Sequence, residues 1–479
     1  MRGGPTLDPE AFRALAHRAV DLAADHLAGV PEGQVFTPMT PAERGALLQQ
    51  PLPGGGADPE ALLTVVRHQV FTHPMGNGHP RFFGWVNSPP QPIGIVGDLL
   101  ASALDPSCAG GDHAAIYLEH TALRWLMELV GYPTEGAAGV LLSGGSMASL
   151  TALTVARHRA LERLGRDVRA HGLQGAGPPL VVYQSTEGHS SLRKSVELLG
   201  LGSENLRMVP AGPDCRMRVP ALREAIAADR AAGRHPFCVA ASAGTVATGA
   251  VDPLDEIAEV CATDDLWFHV DGAYGGFGVL DPGAAPRFRG MERADSLALD
   301  PHKWLSVPVE CGALLVREGA AMRAAFSLIP AYLRTEPEQG IGGLPWFSEF
   351  GFQQTRGFRA LKLWLVLAAS GRDGVTAHIQ HGTRLARELA KGVQEVPELE
   401  LFGEPPLSIV CFRHRGPDEL NRRLMHRLQE EGRVFVTQAE LEGRFWLRAC
   451  ILGDATRESD LALLIEEVRR LGALLKERA

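Results

Sequence analysis

The chain has 479 residues, of which 45% are hydrophobic and 22% charged, and its formal net charge is -9 at pH 7. This composition is typical of a folded globular protein and argues against a fibrous or disordered one. The net negative charge comes without a basic stripe, which argues against nucleic acid as a partner because such binding relies on clustered Lys and Arg. We therefore expect a small-molecule ligand.

The start of the chain lacks the apolar core of a secretory signal, and no stretch approaches the roughly 18 apolar residues of a membrane span. We expect a cytoplasmic protein that has no membrane partner. The seven cysteines are widely spaced and form no C-x-x-C pair, so neither a metal site nor a disulfide framework is indicated. Buried, reduced thiols are the expectation.

Helical periodicity near the N-terminus predicts an amphipathic helix that ends near Gly29 and needs a partner surface. A stretch rich in Pro and Gly, PLPGGGADP, separates it from a second predicted helix at about residues 59–71. We interpret residues 1–93 as a helical appendage.

The central part of the chain alternates short apolar runs with helical segments. The runs are VLLS, LVVYQS, FCVAAS, LWFHVD and DSLALD, and this alternation is typical of a mostly parallel sheet buried on both faces. It predicts a large α/β domain over residues 94–370. Strands in LSIVCFRH, RVFVT and RFWLRACIL and a closing helix then predict a smaller α+β domain over residues 371–479.

One of the five lysines, Lys303, directly follows a predicted buried strand, whereas the other four lie in predicted helices. Open α/β sheets bind ligands outside the carboxyl ends of their strands. A lysine there suits a Schiff base to a cofactor, although an ordinary loop lysine would show the same pattern.

Asp271 ends another buried run, where a carboxylate is costly unless it has a partner. A pyridinium nitrogen would be a suitable partner, because a carboxylate beside it keeps the ring protonated and therefore electron-withdrawing. A cap on the following turn is the competing interpretation.

Two further elements follow strands. The loop of residues 143–146, Ser-Gly-Gly-Ser, precedes a helix, so free backbone amides there would form an anion cradle. It matches neither a P-loop nor a dinucleotide fingerprint, and it is not a hydrolase elbow. His189 follows the VVYQS strand and could stack on a planar ring. A cradle, a stacking His, an Asp and a Lys, each after a strand, together predict a pyridoxal phosphate site.

These residues resemble the pyridoxal-phosphate-dependent group II decarboxylases, which act on aromatic L-amino acids, histidine and glutamate. The motifs that carry the resemblance span about residues 79–451 and are HPRFFGWVNS, SGGSMAS, EGHSS, WFHVDGAYGG, DSLALDPHKW, IPAYLR, RALKLW and FWLRACIL. The resemblance implies a fold-type-I architecture like that of aspartate aminotransferase. It also implies a homodimer whose active sites are shared between subunits, with residues 1–93 contributing to dimerisation.

The resemblance also implies roles for individual residues. Lys303 would carry the cofactor, Asp271 would face the ring nitrogen, His189 would stack on the ring, and Tyr332 would protonate the substrate carbon after carbon dioxide leaves. Further cofactor contacts would be Gly145, Ser146, Thr245 and His302, and the substrate contacts would be Trp85 and Arg448. A structural salt bridge is the competing interpretation of Arg448.

Three departures from the family pattern concern the substrate side and the phosphate. Val246 stands where many relatives have a threonine, and Asp300 replaces a common Asn, which puts an acid near the phosphate. The segment Gly110–His113 predicts a smaller, more polar wall than aromatic-specific members have.

The predicted activity is decarboxylation of an L-amino acid, an aromatic one by resemblance, to the amine and carbon dioxide. Oxidative deamination to an aldehyde on the same fold, or a small polar or acidic substrate, stays open. An aminotransferase or a non-catalytic homologue fits the intact site less well.

Overall fold

The computed structural model describes residues 7–174, 177–328 and 340–477, and this part of the chain forms two compact units. One unit contains the N-terminal residues through Trp85, Glu388–Phe402 and the residues from Cys411 onward. The other contains Val86–Arg387 and Gly403–Val410. The three-segment division at residues 93 and 370 stays a prediction.

The helices follow one another along the described chain and are of unequal length. They are α1 (Pro9–Gly29), α2 (Pro41–Leu48), α3 (Pro59–Val65), α4 (Pro92–Leu104), α5 (Ala114–Val130), α6 (Gly145–Arg163), α7 (Val168–His171), α8 (Ser191–Leu198), α9 (Val219–Ala231), α10 (Leu254–Asp264), α11 (Gly319–Phe326), α12 (Arg359–Gln394), α13 (Asp418–Glu431) and α14 (Glu458–Glu477). The backbone of α12 is broken at Gly371, where φ is 60°. None of these helices is both long and apolar enough to cross a membrane.

A seven-stranded sheet forms the centre of the second unit. Its strands are β1 (Ala138–Leu142), β2 (Leu180–Ser185), β3 (Leu206–Val209), β4 (His235–Ser242), β5 (Trp267–Asp271), β6 (Ser296–Leu299) and β7 (Gly312–Val316). Their spatial order is β1-β7-β6-β5-β4-β2-β3, and only β7 runs antiparallel to its neighbours. The predicted α/β fold with a mostly parallel sheet is confirmed.

Each of the five apolar runs predicted from the sequence overlaps one strand of this sheet. These five strands, β1, β2, β4, β5 and β6, are buried over nearly their whole length. Ser242 pairs with Asp271 and Asp271 pairs with Ala298, so the carboxyl ends of β4, β5 and β6 are level. Residues that directly follow these strands are therefore brought to one edge of the sheet.

The first unit has its own four-stranded sheet in the order β10-β11-β9-β8. Its strands are β8 (Leu399–Leu401), β9 (Ile409–His414), β10 (Thr437–Leu441) and β11 (Arg444–Cys450). The predicted strand RVFVT is largely wrong, because only Thr437 of that segment lies in a strand. Phe435 forms an isolated bridge to Phe82 instead, and the two rings stack with centroids 5.0 Å apart. All seven cysteines are buried, as expected.

A buried ion pair between Arg356 and Glu119 connects α5, β1 and the segment that precedes α12. The two side chains are 1% and 0% exposed. Arg356 also donates to the carbonyls of Cys108 and Leu141, both at 2.7 Å, and Glu119 accepts from the Leu141 N–H at 3.1 Å. The pair fixes the segment around Cys108 against the edge of the sheet.

We expect Glu119→Gln to lower the free energy of unfolding by about 3–5 kcal/mol, because it leaves the Arg356 charge buried without its counter-ion. Glu10→Gln removes an exposed pair with Arg13 and should cost less than about 1 kcal/mol. Chemical denaturation of both variants checks this. Equal midpoints for the two variants would contradict it.

Candidate active site

The Ser-Gly-Gly-Ser segment of residues 143–146, the glycine loop, joins β1 to α6. Gly145 and Ser146 begin that helix, whose amino-terminal turn receives no side-chain cap hydrogen bond. A Cβ atom added to Gly145 would lie 2.7 Å from Ala273 Cβ and 3.2 Å from Asp300 Oδ2, so this position has room only for glycine. The uncapped amides at the amino terminus of α6 form the kind of site that binds an anion.

Asp271 and Lys303 both line the cavity next to this loop, at the carboxyl edge of the sheet. Asp271 is the last residue of β5, and its Oδ1 accepts a hydrogen bond from the Ala273 N–H at 3.1 Å. Lys303 follows β6, and its Nζ lies 3.0 Å from Asp300 Oδ2. The structure therefore brings together a carboxylate and an amine that the sequence placed after different strands.

The cavity has a volume of about 310 Å³. Its lining residues come from the ends of several strands and are Ser143, Gly144, Gly145, Ser146, Met147, His189, Ser191, Ser242, Gly244, Thr245, Val246, Asp271, Ala273, Tyr274, Asp300, His302 and Lys303. Every residue that the sequence predicts to contact the cofactor therefore lines this cavity.

His189 is held by the start of α8. The Ser191 N–H donates to His189 Nδ1 at 3.1 Å, so Nδ1 is an acceptor and a neutral ring carries its proton on Nε2. Desolvation by the surrounding protein lowers the pKa of His189; Lys303 also lowers it, and Asp271 opposes the shift. A neutral, oriented imidazole suits stacking on a planar ring.

Two further predicted contacts have their polar atoms engaged by the backbone. Thr245 Oγ1 accepts from the Ala250 N–H at 3.0 Å. His302 Nδ1 lies 2.7 Å from the Cys311 carbonyl oxygen, so this contact does not involve the other ring nitrogen, Nε2. Val246, the departure from the family pattern, lines the cavity with 43% of its surface exposed.

Three predicted residues are not part of this cavity as described. Trp85 and Arg448 belong to the other unit, where Trp85 packs against Phe435 and Arg448 is buried on β11. Tyr332 lies outside the described residues. Their roles stay predictions.

The smaller, more polar substrate wall that the sequence predicts at Gly110–His113 stays a prediction, but two bulky side chains of the same chain pack on this segment. The indole of Trp346 covers Gly110, since a Cβ atom there would lie 2.0 Å from Trp346 Cγ. Ile341 similarly lies against Gly111, where an added Cβ would meet its side chain at 3.0 Å. The bulk that packs on this segment therefore comes from a distant part of the chain.

Gly110→Ala should destabilise the protein by about 1–3 kcal/mol, because the added methyl group overlaps the Trp346 ring and forces it to move. Gly351→Ala is the control, since nothing lies within 4 Å of its added Cβ. Thermal melting of both variants measures the effect. A smaller residue at position 346 should restore part of the loss in Gly110→Ala, and a melting temperature of Gly110→Ala equal to that of the control would count against this contact.

Sequence reasoning missed Ser191, Ser242 and Tyr274 as cavity residues. The available signal for Ser191 was its place in the EGHSS motif two residues after His189, and its Oγ lies 2.8 Å from His189 Nδ1. Tyr274 stands in the HVDGAYGG motif, but its ring stacks on Trp304 and its hydroxyl lies 2.7 Å from Ser408 Oγ. Both partners of Tyr274 are distant in sequence and could not be inferred.

An anion cradle, a carboxylate and an amine at the carboxyl edge of a mostly parallel seven-stranded sheet define a fold-type-I pyridoxal-phosphate enzyme. The glycine loop leaves room for a phosphate, Asp271 suits a ring nitrogen, and Lys303 suits an aldehyde carbon, so the residues present fit this cofactor.

The chain belongs to the pyridoxal-dependent decarboxylase family, whose conserved-domain model matches residues 41–415. It is 32% identical over 475 residues to the aromatic-L-amino-acid decarboxylase of Bacillus atrophaeus, covering 97% of this chain and 96% of that protein. It is 33% identical over 488 residues to the histidine decarboxylase of Drosophila melanogaster, covering 98% of this chain and 56% of that protein.

A crystal structure of Oryza sativa TDC with PLP and tryptamine is similar with a TM-score of 0.92 and 30% identity, covering 98% of this chain and 99% of that one. The protein is therefore a pyridoxal-phosphate-dependent carboxy-lyase that converts an amino acid to its amine and carbon dioxide.

Proposed function

We propose that the substrate is an aromatic L-amino acid and that the enzyme works as a cytoplasmic homodimer. The observation that carries the proposal is the convergence of Lys303, Asp271, His189 and the glycine loop on one cavity. Support for an aromatic substrate comes from the Bacillus atrophaeus relative and from the Oryza sativa structure that contains tryptamine.

Pyridoxal phosphate supplies an electron sink for the pair of electrons that remains on the substrate when carbon dioxide leaves. Lys303 would hold the aldehyde carbon and later release the product. Asp271 would hold a proton on the ring nitrogen, because its carboxylate at the end of β5 needs a positive partner. His189 would cover one face of the ring.

The phosphate would bind at the amino terminus of α6, where Gly145 and Ser146 begin the helix and His302 lines the same space. The backbone amides and the helix dipole there favour an anion. Thr245 would add its hydroxyl, as the family resemblance implies. Together these contacts would hold the cofactor in one orientation against the ring of His189.

On the substrate side, we propose that Trp85 forms an apolar wall and that Arg448 binds a carboxylate. The resemblance also assigns the return of a proton to the substrate carbon to Tyr332. These three roles rest on the matching motifs HPRFFGW, FWLRACIL and IPAYLR.

The homodimer is supported by apolar side chains that the single chain leaves uncovered. Helix α1 has no buried residue, and Phe12 and Val20 on it are 54% and 53% exposed. On α4, Leu100 and Leu104 are 48% and 67% exposed. Such surfaces are usually covered by a partner in stable assemblies, so light scattering should give twice the mass of one chain.

The test of substrate and reaction is carbon dioxide release by the purified holoenzyme across a panel of aromatic, small polar and acidic L-amino acids. We expect release and equimolar amine with an aromatic amino acid. Turnover with only a small polar or acidic substrate would contradict the proposed substrate. Aldehyde, ammonia and peroxide in place of amine would identify oxidative deamination instead.

A further inference from the structure

The carboxylate of Asp300 lies in the wall of the cofactor cavity, beside the glycine loop. Its side chain is 2% exposed, and Oδ2 lies 3.0 Å from Lys303 Nζ. A Cβ atom added to Gly145 would be 3.2 Å from Oδ2, and one added to Gly144 would be 3.8 Å from Oδ1. The carboxylate and the two glycines therefore face the same space.

Asp300 is only partly satisfied by its neighbours. Within the described ranges, Oδ1 is buried and has no hydrogen-bond partner. The nearby basic groups are the Lys303 amine and the imidazole of His302, whose Nε2 lies 3.8 Å from Oδ2. An anion that binds at the glycine loop would therefore lie near the Asp300 carboxylate, whose charge is already paired with that of Lys303.

We propose that Asp300 opposes the phosphate of the cofactor and so sets how tightly the enzyme holds pyridoxal phosphate and how readily it exchanges it. This inference rests on the proposed function above, which places the phosphate at the glycine loop and the aldehyde carbon at Lys303. Like charges that share a poorly hydrated cavity repel one another far more than they do in water.

Replacing Asp300 with Asn removes the negative charge, keeps the shape of the side chain and adds an N–H donor on the same side of the cavity. We expect Asp300→Asn to lower the dissociation constant of pyridoxal phosphate at least about tenfold, which corresponds to about 1.4 kcal/mol. The effect should persist at high salt, because buried charges are screened much less than exposed ones.

Three probes separate an effect on the phosphate from an effect on Lys303. Pyridoxal 5′-phosphate carries both the phosphate and the aldehyde, pyridoxamine 5′-phosphate carries only the phosphate, and pyridoxal carries only the aldehyde. Equilibrium dialysis with the cofactor-depleted full chain measures the affinity of each probe. Asp300→Asn should tighten both phosphorylated probes about equally and leave the affinity for pyridoxal unchanged.

Asp265→Asn is the matched control. Asp265 is 77% exposed and has a left-handed backbone with φ 53°, which Asn tolerates, and it precedes β5 rather than following a strand. This control should bind all three probes like the wild type. Asp300→Ser, which also removes the charge, should tighten phosphate binding too and gives a second variant should Asp300→Asn fold poorly.

Unchanged or weaker binding of the phosphorylated probes by the folded Asp300 variants would overturn the inference. Equal tightening of pyridoxal would also overturn it, because the carboxylate would then act through Lys303. A wild type that binds pyridoxal phosphate without any dependence on Lys303 would instead contradict the proposed function. The two failures are therefore distinguishable.

Discussion

Lys303→Ala is expected to remove the visible absorbance band of the holoenzyme and to reduce carbon dioxide release by roughly 10³- to 10⁶-fold, as loss of a covalent catalytic group does in other enzymes. The reason is chemical, since among the described side chains that line the cavity Lys303 alone carries a primary amine. Absorbance spectra after reconstitution with the cofactor, together with single-turnover assays, measure both effects.

Two further variants make the Lys303 result specific. Lys303→Arg keeps a positive charge beside Asp300, so any misfolding caused by loss of that charge is avoided. This variant should also lack the visible band. Lys194→Ala removes an exposed lysine of α8 and should behave like the wild type. If Lys303→Ala retained the band while Lys194→Ala lost it, the anchor would be the wrong lysine.

Asp271→Asn is expected to retain the visible band but to lower carbon dioxide release about 10²- to 10⁴-fold, the range typical of losing one proton-handling group. An amide cannot hold a proton on the ring nitrogen, so electrons from the breaking bond would be delocalised less well. Its Oδ1 can still accept from the Ala273 N–H, so the turn after β5 should persist.

The measurement for Asp271→Asn is the rate of product formation at saturating cofactor and substrate, with circular dichroism melting as the check on folding. Asp265→Asn, an exposed acid at the opposite end of the same strand, serves as the control and should keep the full rate. A rate for Asp271→Asn within about tenfold of the wild type would show that Asp271 is not the partner of the ring nitrogen.

The cofactor side of the site could be predicted from sequence because its residues lie at or soon after the carboxyl ends of strands. Asp271, His189 and Lys303 each come after an apolar run, and parallel strands place their carboxyl ends at one edge. Alternation of strands and helices suffices for this prediction, and the order of strands in the sheet is not needed. Strands β3 and β7 were not predicted from the sequence, and the antiparallel direction of β7 could not be foreseen, because a buried apolar run has the same pattern in either direction.

The substrate side depends on contacts between distant segments. The packing of Trp346 on Gly110 leaves no signal at either position, since the glycine alone suggests only an open wall. Similarly, Asp300 is recognisable in sequence as a departure from a motif, but its contact with Lys303 and its unpaired oxygen are visible only in three dimensions.

The close contact between Gly110 and Trp346 has a consequence for how this enzyme and its relatives diverge. Because the two positions share one volume, a large residue at position 110 requires a small one at position 346. In an alignment of related sequences, side-chain size at these two positions should therefore vary inversely. Libraries that aim to reshape this segment should randomise both positions together, since single changes at position 110 would mostly destabilise the protein.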